Sequence, residues 1–253
     1  MNKKFKNYLI LYLSFLYFIC IFFLYTKHSV GNDSTISEWL INYSGGFTKR
    51  GIIGEISIFF SRLFEQNLRD VIYIFQLSVI GIYYILIYLF FKNLYLERYF
   101  LLSIFSPIFL IYPVAEIEVL ARKEVFIFVL FILHALIPSS NNNLKRISKL
   151  VILPLSILIW EPIVFFLPLW IFIDLVNLKA KNFKKSLFNE IIFYFPGILI
   201  AIIFIINPLT PDEHYQMEQV LKNEFEEVCY MSCALLKNKS SIYQQFEANF
   251  GKY

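Results

Sequence analysis

Residues 115–124 read AEIEVLARKE and set Glu116, Glu118, Arg122, Lys123 and Glu124 between two strongly apolar runs. Ionisable groups held beside hydrocarbon are costly unless paired or hydrated, so such a segment marks a recess with a purpose. Carboxylates there can take a proton or position a substrate, and the neighbouring cations suit a phosphate. The simpler alternative is that Glu116 and Glu118 pair with Arg122 and Lys123 and only hold a loop. Glu161 has no neighbouring cation in sequence: it stands between Trp160 and Pro162 inside an apolar stretch. Either it opens on the same water-filled pocket as Glu116 and Glu118, or it caps a broken helix.

Two more candidate groups precede these. Asp33 and Glu38 lie in NDSTISE, where either acid can face the pocket and where Asp33 or Ser34 also suits a helix N-cap. YSGGFTKRG joins glycines to Lys49 and Arg50, a composition for backbone and cation contacts to a phosphate or for a plain turn near lipid headgroups. His28, His134 and His214 have no metal-ligand spacing, and no HExxH, Walker or nucleophile-elbow pattern occurs, which leaves soluble-enzyme chemistry without support. Cys229 and Cys233 sit one helical turn apart, so either a disulfide or two free thiols fits the spacing.

The elements that must carry these groups are membrane helices. The chain of 253 residues is 58% hydrophobic and 19% aromatic, with a mean hydropathy of +0.61, well above a soluble domain. Its many Phe, Tyr, Ile, Lys and Asn residues point to A/T-rich codons, as in some bacteria. The net charge of +4 calls for no nucleic acid, because the lysines fall between apolar runs, where topology explains them.

Apolar runs cover 8–24, 71–91, 100–114, 125–137, 150–160, 163–176 and 191–206. Only the first two are long enough alone for a bilayer core of about 30 Å at about 1.5 Å per residue; the others must end in the membrane or be completed by polar turns. The first follows Lys3, Lys4 and Lys6 without a small-residue cleavage site, so it reads as an uncleaved signal anchor with a cytoplasmic N-terminus. Basic loops at Lys92 and Arg98, at Lys145, Arg146 and Lys149, and at Lys179, Lys181, Lys184 and Lys185 are all cytoplasmic if 150–176 turns back at Glu161–Pro162; the alternative is one proline-kinked helix.

The fold class expected is all-α: a polytopic transmembrane helical bundle, residues 1–206, whose long external first loop, 26–70, carries amphipathic surface helices at SEWLINY and GIIGEISIFFSRLFEQN. Residues 207–253 are expected as a short extracytoplasmic tail, either a truncated product or a minimal module. No internal repeat is visible.

This order resembles the membrane glycosyltransferases of the GT-C superfamily, such as oligosaccharyltransferase catalytic subunits and protein mannosyltransferases. The shared pattern is a cytoplasmic N-terminus, one span, a long external loop with an early acid, two spans and a short external loop with an acidic pair. Here the early acid is Asp33 or Glu38, and the pair is Glu116 and Glu118 in EIE. INYSGGFTKRGIIGE and ARKE are also similar to segments of bacterial multi-pass proteins of surface polysaccharide synthesis, and WE at Trp160–Glu161 stands where these have an HE-like turn.

The resemblance implies transfer of a sugar from a polyprenyl-phosphate donor at the outer face of the bacterial cytoplasmic membrane. Glu38 or Asp33 would act as base, Lys49, Arg50, Arg122 and Lys123 would face the phosphate, and Glu116, Glu118 and Glu161 would position substrate or a divalent ion; neither metal nor cofactor is assigned. Two other readings remain: a carrier or flippase-like protein for lipid-linked saccharides, and a non-catalytic membrane subunit whose charged loops bind a partner, the tail being one such surface.

Overall fold

A computed structural model describes residues 3–31, 33–92, 102, 104–105, 119–138, 141–178, 191–231 and 233–237. Among them every regular element is a helix and there is no strand. The first, α1 (Lys3–Val30), and the fourth, α4 (Leu68–Phe91), are long and apolar enough to cross a membrane. Between them lie α2 (Ser34–Trp39) and α3 (Gly51–Phe64). The expected first loop therefore shrinks, because helix takes both of its ends.

Downstream are α5 (Glu124–Leu136), α6 (Asn142–Ile159), a 3-10 turn (Glu161–Phe166) and α7 (Leu167–Leu178). A short 3-10 turn (Ile192–Tyr194) leads into α8 (Phe195–Ile206) and then α9 (Pro211–Phe225), and Ala234–Lys237 forms a last 3-10 turn. The segment Ile192–Ile206 and α9 meet at a bend of 101°; counted as one broken span they make a third candidate crossing. Thr210 and Glu213 close a capping box that starts α9 at this bend, satisfying donors that the break would otherwise orphan.

Two apolar cores hold the helices. One lies among α1, α4 and α5, with Leu16, Leu24, Ile80 and Ile132 inside. The other joins Trp39, Ile72, Leu153, Ile157, Trp170 and Tyr194, drawn from helices far apart in sequence. Pro154 lies inside α6, and the chain breaks completely only at Trp160, whose φ of −156° and ψ of 98° are extended, so Glu161 enters on a new element. Lys145, Arg146 and Lys149, expected in a basic loop, belong to the first turns of α6. Arg146 and Lys149 lie over the rings of Phe193 and Tyr194, because capping by Asn141 starts the helix earlier than the apolar run does.

The two first-loop helices differ from the expectation in opposite ways. In α2 five of six residues are buried, including Glu38, so it is an internal helix rather than a surface one. In α3 the small residues Gly51, Gly54, Ser57 and Ser61 face inward while Phe59, Leu63 and Phe64 are exposed, leaving an apolar face outward. An inward stripe of glycine and serine lets backbones approach closely. A Cβ on Gly54 would stand 2.0 Å from the Ile41 carbonyl oxygen, and one on Gly45 would stand 1.8 Å from that of Glu213 in α9. The glycines of YSGG and GIIG thus serve close packing, which accounts for them without a phosphate.

The tail is docked on the same side. Arg69 at the start of α4 donates to both carboxylate oxygens of Glu227 at 2.7 and 2.6 Å, and Ser37 exchanges hydrogen bonds with the backbone of Tyr230. Cys229 and Cys233 form a disulfide, and His214 Nε2 lies 3.5 Å from the Cys229 sulfur, a neighbourhood that the His and Cys spacing did not reveal. Glu227 is buried, so Glu227→Ala is expected to cost about 2–3 kcal/mol, the range for a charged hydrogen-bonded partner. Limited proteolysis of detergent-solubilised protein should then cut between α9 and Cys229 several-fold faster; an unchanged rate would mean that the tail is held elsewhere.

Candidate active site

Arg50 is the centre of the charged cluster. It ends the turn before α3 with φ of 63°, a left-handed conformation uncommon for a side-chain-bearing residue. Its Nη1 donates to Glu38 Oε1 at 2.9 Å, while Nε and Nη2 donate to Glu161 Oε2 and Oε1 at 2.7 and 3.1 Å. A guanidinium presents donors in a fixed fork, so one arginine can hold two carboxylates from distant elements. Lys49 adds a longer contact to Glu161 at 3.4 Å, and Arg122 approaches Glu38 at 4.0 Å.

Burial alone would lower the pKa of Arg50, but its hydrogen bonds to Glu161 and the charges of Glu161 and Glu38 hold it above the ordinary value. Burial likewise pushes the Glu161 carboxyl up, and the Arg50 hydrogen bonds and charge bring it below the usual range. Both groups are thereby locked in their charged forms.

Lys123 is held differently. It is completely buried, and Nζ donates to the Arg50 carbonyl oxygen at 2.6 Å; among the described residues no carboxylate is in ion-pair contact with it. Burial pushes its pKa down to about 7, against the pull of Glu38 and with the Arg50 charge adding to the fall. An unfolded lysine stays protonated to a pKa of 10.5, so between pH 7 and 10.5 the unfolded chain binds more protons and stability rises with pH. Below 7 both states are protonated and this contribution is flat. Stability should therefore gain about 1 kcal/mol from this group between pH 7 and 8, and Lys123→Met should remove that slope in melting curves taken across neutral pH. An identical slope in the variant would reject the assignment.

The neighbouring backbone is tied down. Ala121, at φ of 59°, offers its carbonyl oxygen to Trp39 Nε1 at 2.9 Å and to Gln76 Nε2 at 3.4 Å. Two strained residues, Arg50 and Ala121, thus flank the charged groups, each with its carbonyl held by a buried donor. Strain of this kind, on the order of 1–3 kcal/mol per residue, persists only where the surroundings enforce it and clusters at functional sites.

Beside the cluster, among α1, α4, α5 and the turn before α5, lies a cavity of about 790 Å³. Its walls are apolar, including Ile80, Tyr84, Phe91, Phe128 and Ile132, and among the described residues its charged lining is Arg122 and Glu124. Arg122 Nη2 and Glu124 Oε1 form an ion pair at 2.9 Å.

The structure brings together Glu38, Glu161, Lys49, Arg50, Arg122 and Lys123. Asp33 is engaged elsewhere: its side chain accepts from the backbone of Thr35 and Ile36 as the N-cap of α2 and lies 3.5 Å from Lys27. Asp33 thus fills the capping role that its place in NDSTISE allowed. Glu116 and Glu118 lie outside the described residues, as does their suggested pairing with Arg122 and Lys123; among the described residues Arg122 approaches Glu124 and Glu38. Glu124 is the group that the sequence reading did not single out, although its place in ARKE beside two cations was the available signal. No protein-family model, curated protein or solved structure matches the chain.

Proposed function

We propose that the chain is a multi-pass protein of the bacterial cytoplasmic membrane, N-terminus inside, which transfers a sugar from a polyprenyl-phosphate donor at the outer face, in the manner of the GT-C enzymes it resembles. The observation that carries this reading is an apolar cavity among long apolar helices that ends on Arg122 and Glu124 and adjoins Arg50, Lys123 and Glu38. A ligand fitted to it has a hydrocarbon body and an anionic head, which describes a lipid phosphate. The outward apolar face of α3 fits contact with lipid.

In this reading Arg122 receives the phosphate at the cavity end, with Lys49 nearby as the exposed cation. Arg50 acts as a positioning residue: its three donating nitrogens already serve Glu38 and Glu161. A buried Lys123 near neutrality adds positive charge by taking up a proton when an anion arrives, which offsets part of the desolvation of a phosphate. Cations preorganised in a water-poor site favour departure of the lipid phosphate as the sugar–phosphate bond breaks.

The test is to incubate the purified protein in detergent with radiolabelled polyprenyl-phosphate sugars and saccharide or peptide acceptors. Labelled acceptor appearing with the native chain and lost in Arg122→Ala at an unchanged melting temperature supports the transferase. Donor binding, or passage across a vesicle membrane, without any transfer supports the carrier reading instead.

A further inference from the structure

Among the described residues three carboxylates stand near the cavity end, and they are not equivalent. Glu38 is buried, with Oε1 on Arg50 and Oε2 turned to Arg122. Glu161 has both oxygens on Arg50. A carboxylate whose lone pairs are already committed to a buried guanidinium is a poor proton acceptor, and neither residue lines the cavity. Glu124 differs on both counts. It lines the cavity, Arg122 Nη2 lies 2.9 Å from Oε1, and Oε2 is a buried oxygen with no hydrogen-bond partner among the described residues. A buried acceptor left unsatisfied costs about 1–3 kcal/mol, and the expense is relieved when a donor reaches it. A turn of the Glu124 side chain would present this oxygen to the cavity, where the hydroxyl of a bound substrate is such a donor.

We infer that Glu124, and not Glu38, is the catalytic carboxylate of the transfer proposed above, on which this inference rests, and that Glu124 Oε2 takes the proton of the acceptor hydroxyl. As that O–H bond breaks, the acceptor oxygen forms its bond to the anomeric carbon. The carbon–oxygen bond to phosphate breaks, and its electron pair leaves with the lipid phosphate, which Arg122 meets. Arg122 thus bridges the two halves of the reaction: it orients the base through Oε1 and stands beside the leaving group. Glu38 and Glu161 become the acids that hold Arg50.

An acid in the first turn of α5 also favours that helix through its dipole, a role that Glu124 would fill without any chemistry. The experiment separates the two. Glu124→Gln keeps the shape and an oxygen for Arg122 and removes the proton acceptor; Glu124→Asp keeps the charge and draws it back. Transfer rate, donor KM and equilibrium binding of the labelled lipid-phosphate sugar are measured for both and for the native chain, alongside melting temperature. The expected result is a fall in kcat of about 100-fold or more in Glu124→Gln, the usual contribution of a general base, with donor KM and binding within about threefold. Glu124→Asp should fall between that variant and the native chain.

A purely structural role would lower the melting temperature and leave kcat of the folded fraction intact, which overturns the inference. So would Glu124→Gln transferring at the native rate, and in that case the transferase reading stands with another base. A native chain that binds the donors and transfers none of them removes the transferase reading itself and the inference with it.

Discussion

Arg50→Ala is expected to lower stability by about 3–5 kcal/mol, the range for removing one partner of a buried ion pair. The reason is what remains behind. Among the described residues Glu38, only 2% exposed, keeps Arg122 at 4.0 Å as its ion-pair partner, and Glu161 keeps Lys49 at 3.4 Å. In detergent this should appear as a melting temperature lower by several degrees and as faster loss of monodisperse protein. Arg50→Lys should recover little, because a single ammonium cannot meet Glu161 through two nitrogens and Glu38 through a third. The double variant Arg50→Ala with Glu161→Gln should be milder than the sum of the singles, since each removes the same interaction. Strict additivity, or a fully stable Arg50→Ala, would show that the three groups do not form one unit.

Gly54→Ala is expected to act nearly as strongly through the backbone. The added methyl would sit 2.0 Å from the Ile41 carbonyl oxygen and 2.8 Å from that of Trp39, atoms that cannot rotate away. Overpacking of this kind costs about 1–3 kcal/mol and more where backbone must move. Here α3 would have to lift from the segment that follows α2, and Arg50 at its start would lift away from Glu38. Gly81→Ala is the control: its methyl would find only the Tyr17 ring, at 3.4 Å, so stability should change little. Gly54→Ala should therefore lose donor binding together with melting temperature. Equal behaviour of the two variants would mean that the close approach at Gly54 is not a constraint.

Much of this molecule is legible in its amino-acid sequence. The runs at 8–24 and 71–91 predict the two long apolar helices, and WEP predicts the break after α6, because length of apolar sequence and loss of a helical donor are local properties. Other expectations failed for equally physical reasons. SEWLINY has the spacing of a surface helix, yet the helix there, α2, ends at Trp39 and is buried, since hydrophobic period reports which face is apolar and says nothing of what later covers the polar face. The glycines of YSGGFTKRG left a phosphate loop and a plain turn both open, and their lack of a Cβ is used against Tyr43 and Glu213.

By itself, then, the sequence determined a helical chain with apolar segments long enough to cross a membrane, and several acids and bases that need partners. Which partner each received was decided by tertiary packing. Glu161 lies 111 residues from Arg50 and shares it with Glu38, while Asp33, close to Glu38 in the chain, spends its oxygens on a helix end and on Lys27. Burial makes an unpaired charge costly wherever it occurs, so composition can announce that a partner must exist. Its identity depends on where the helices bring their ends, and long-range packing settles that.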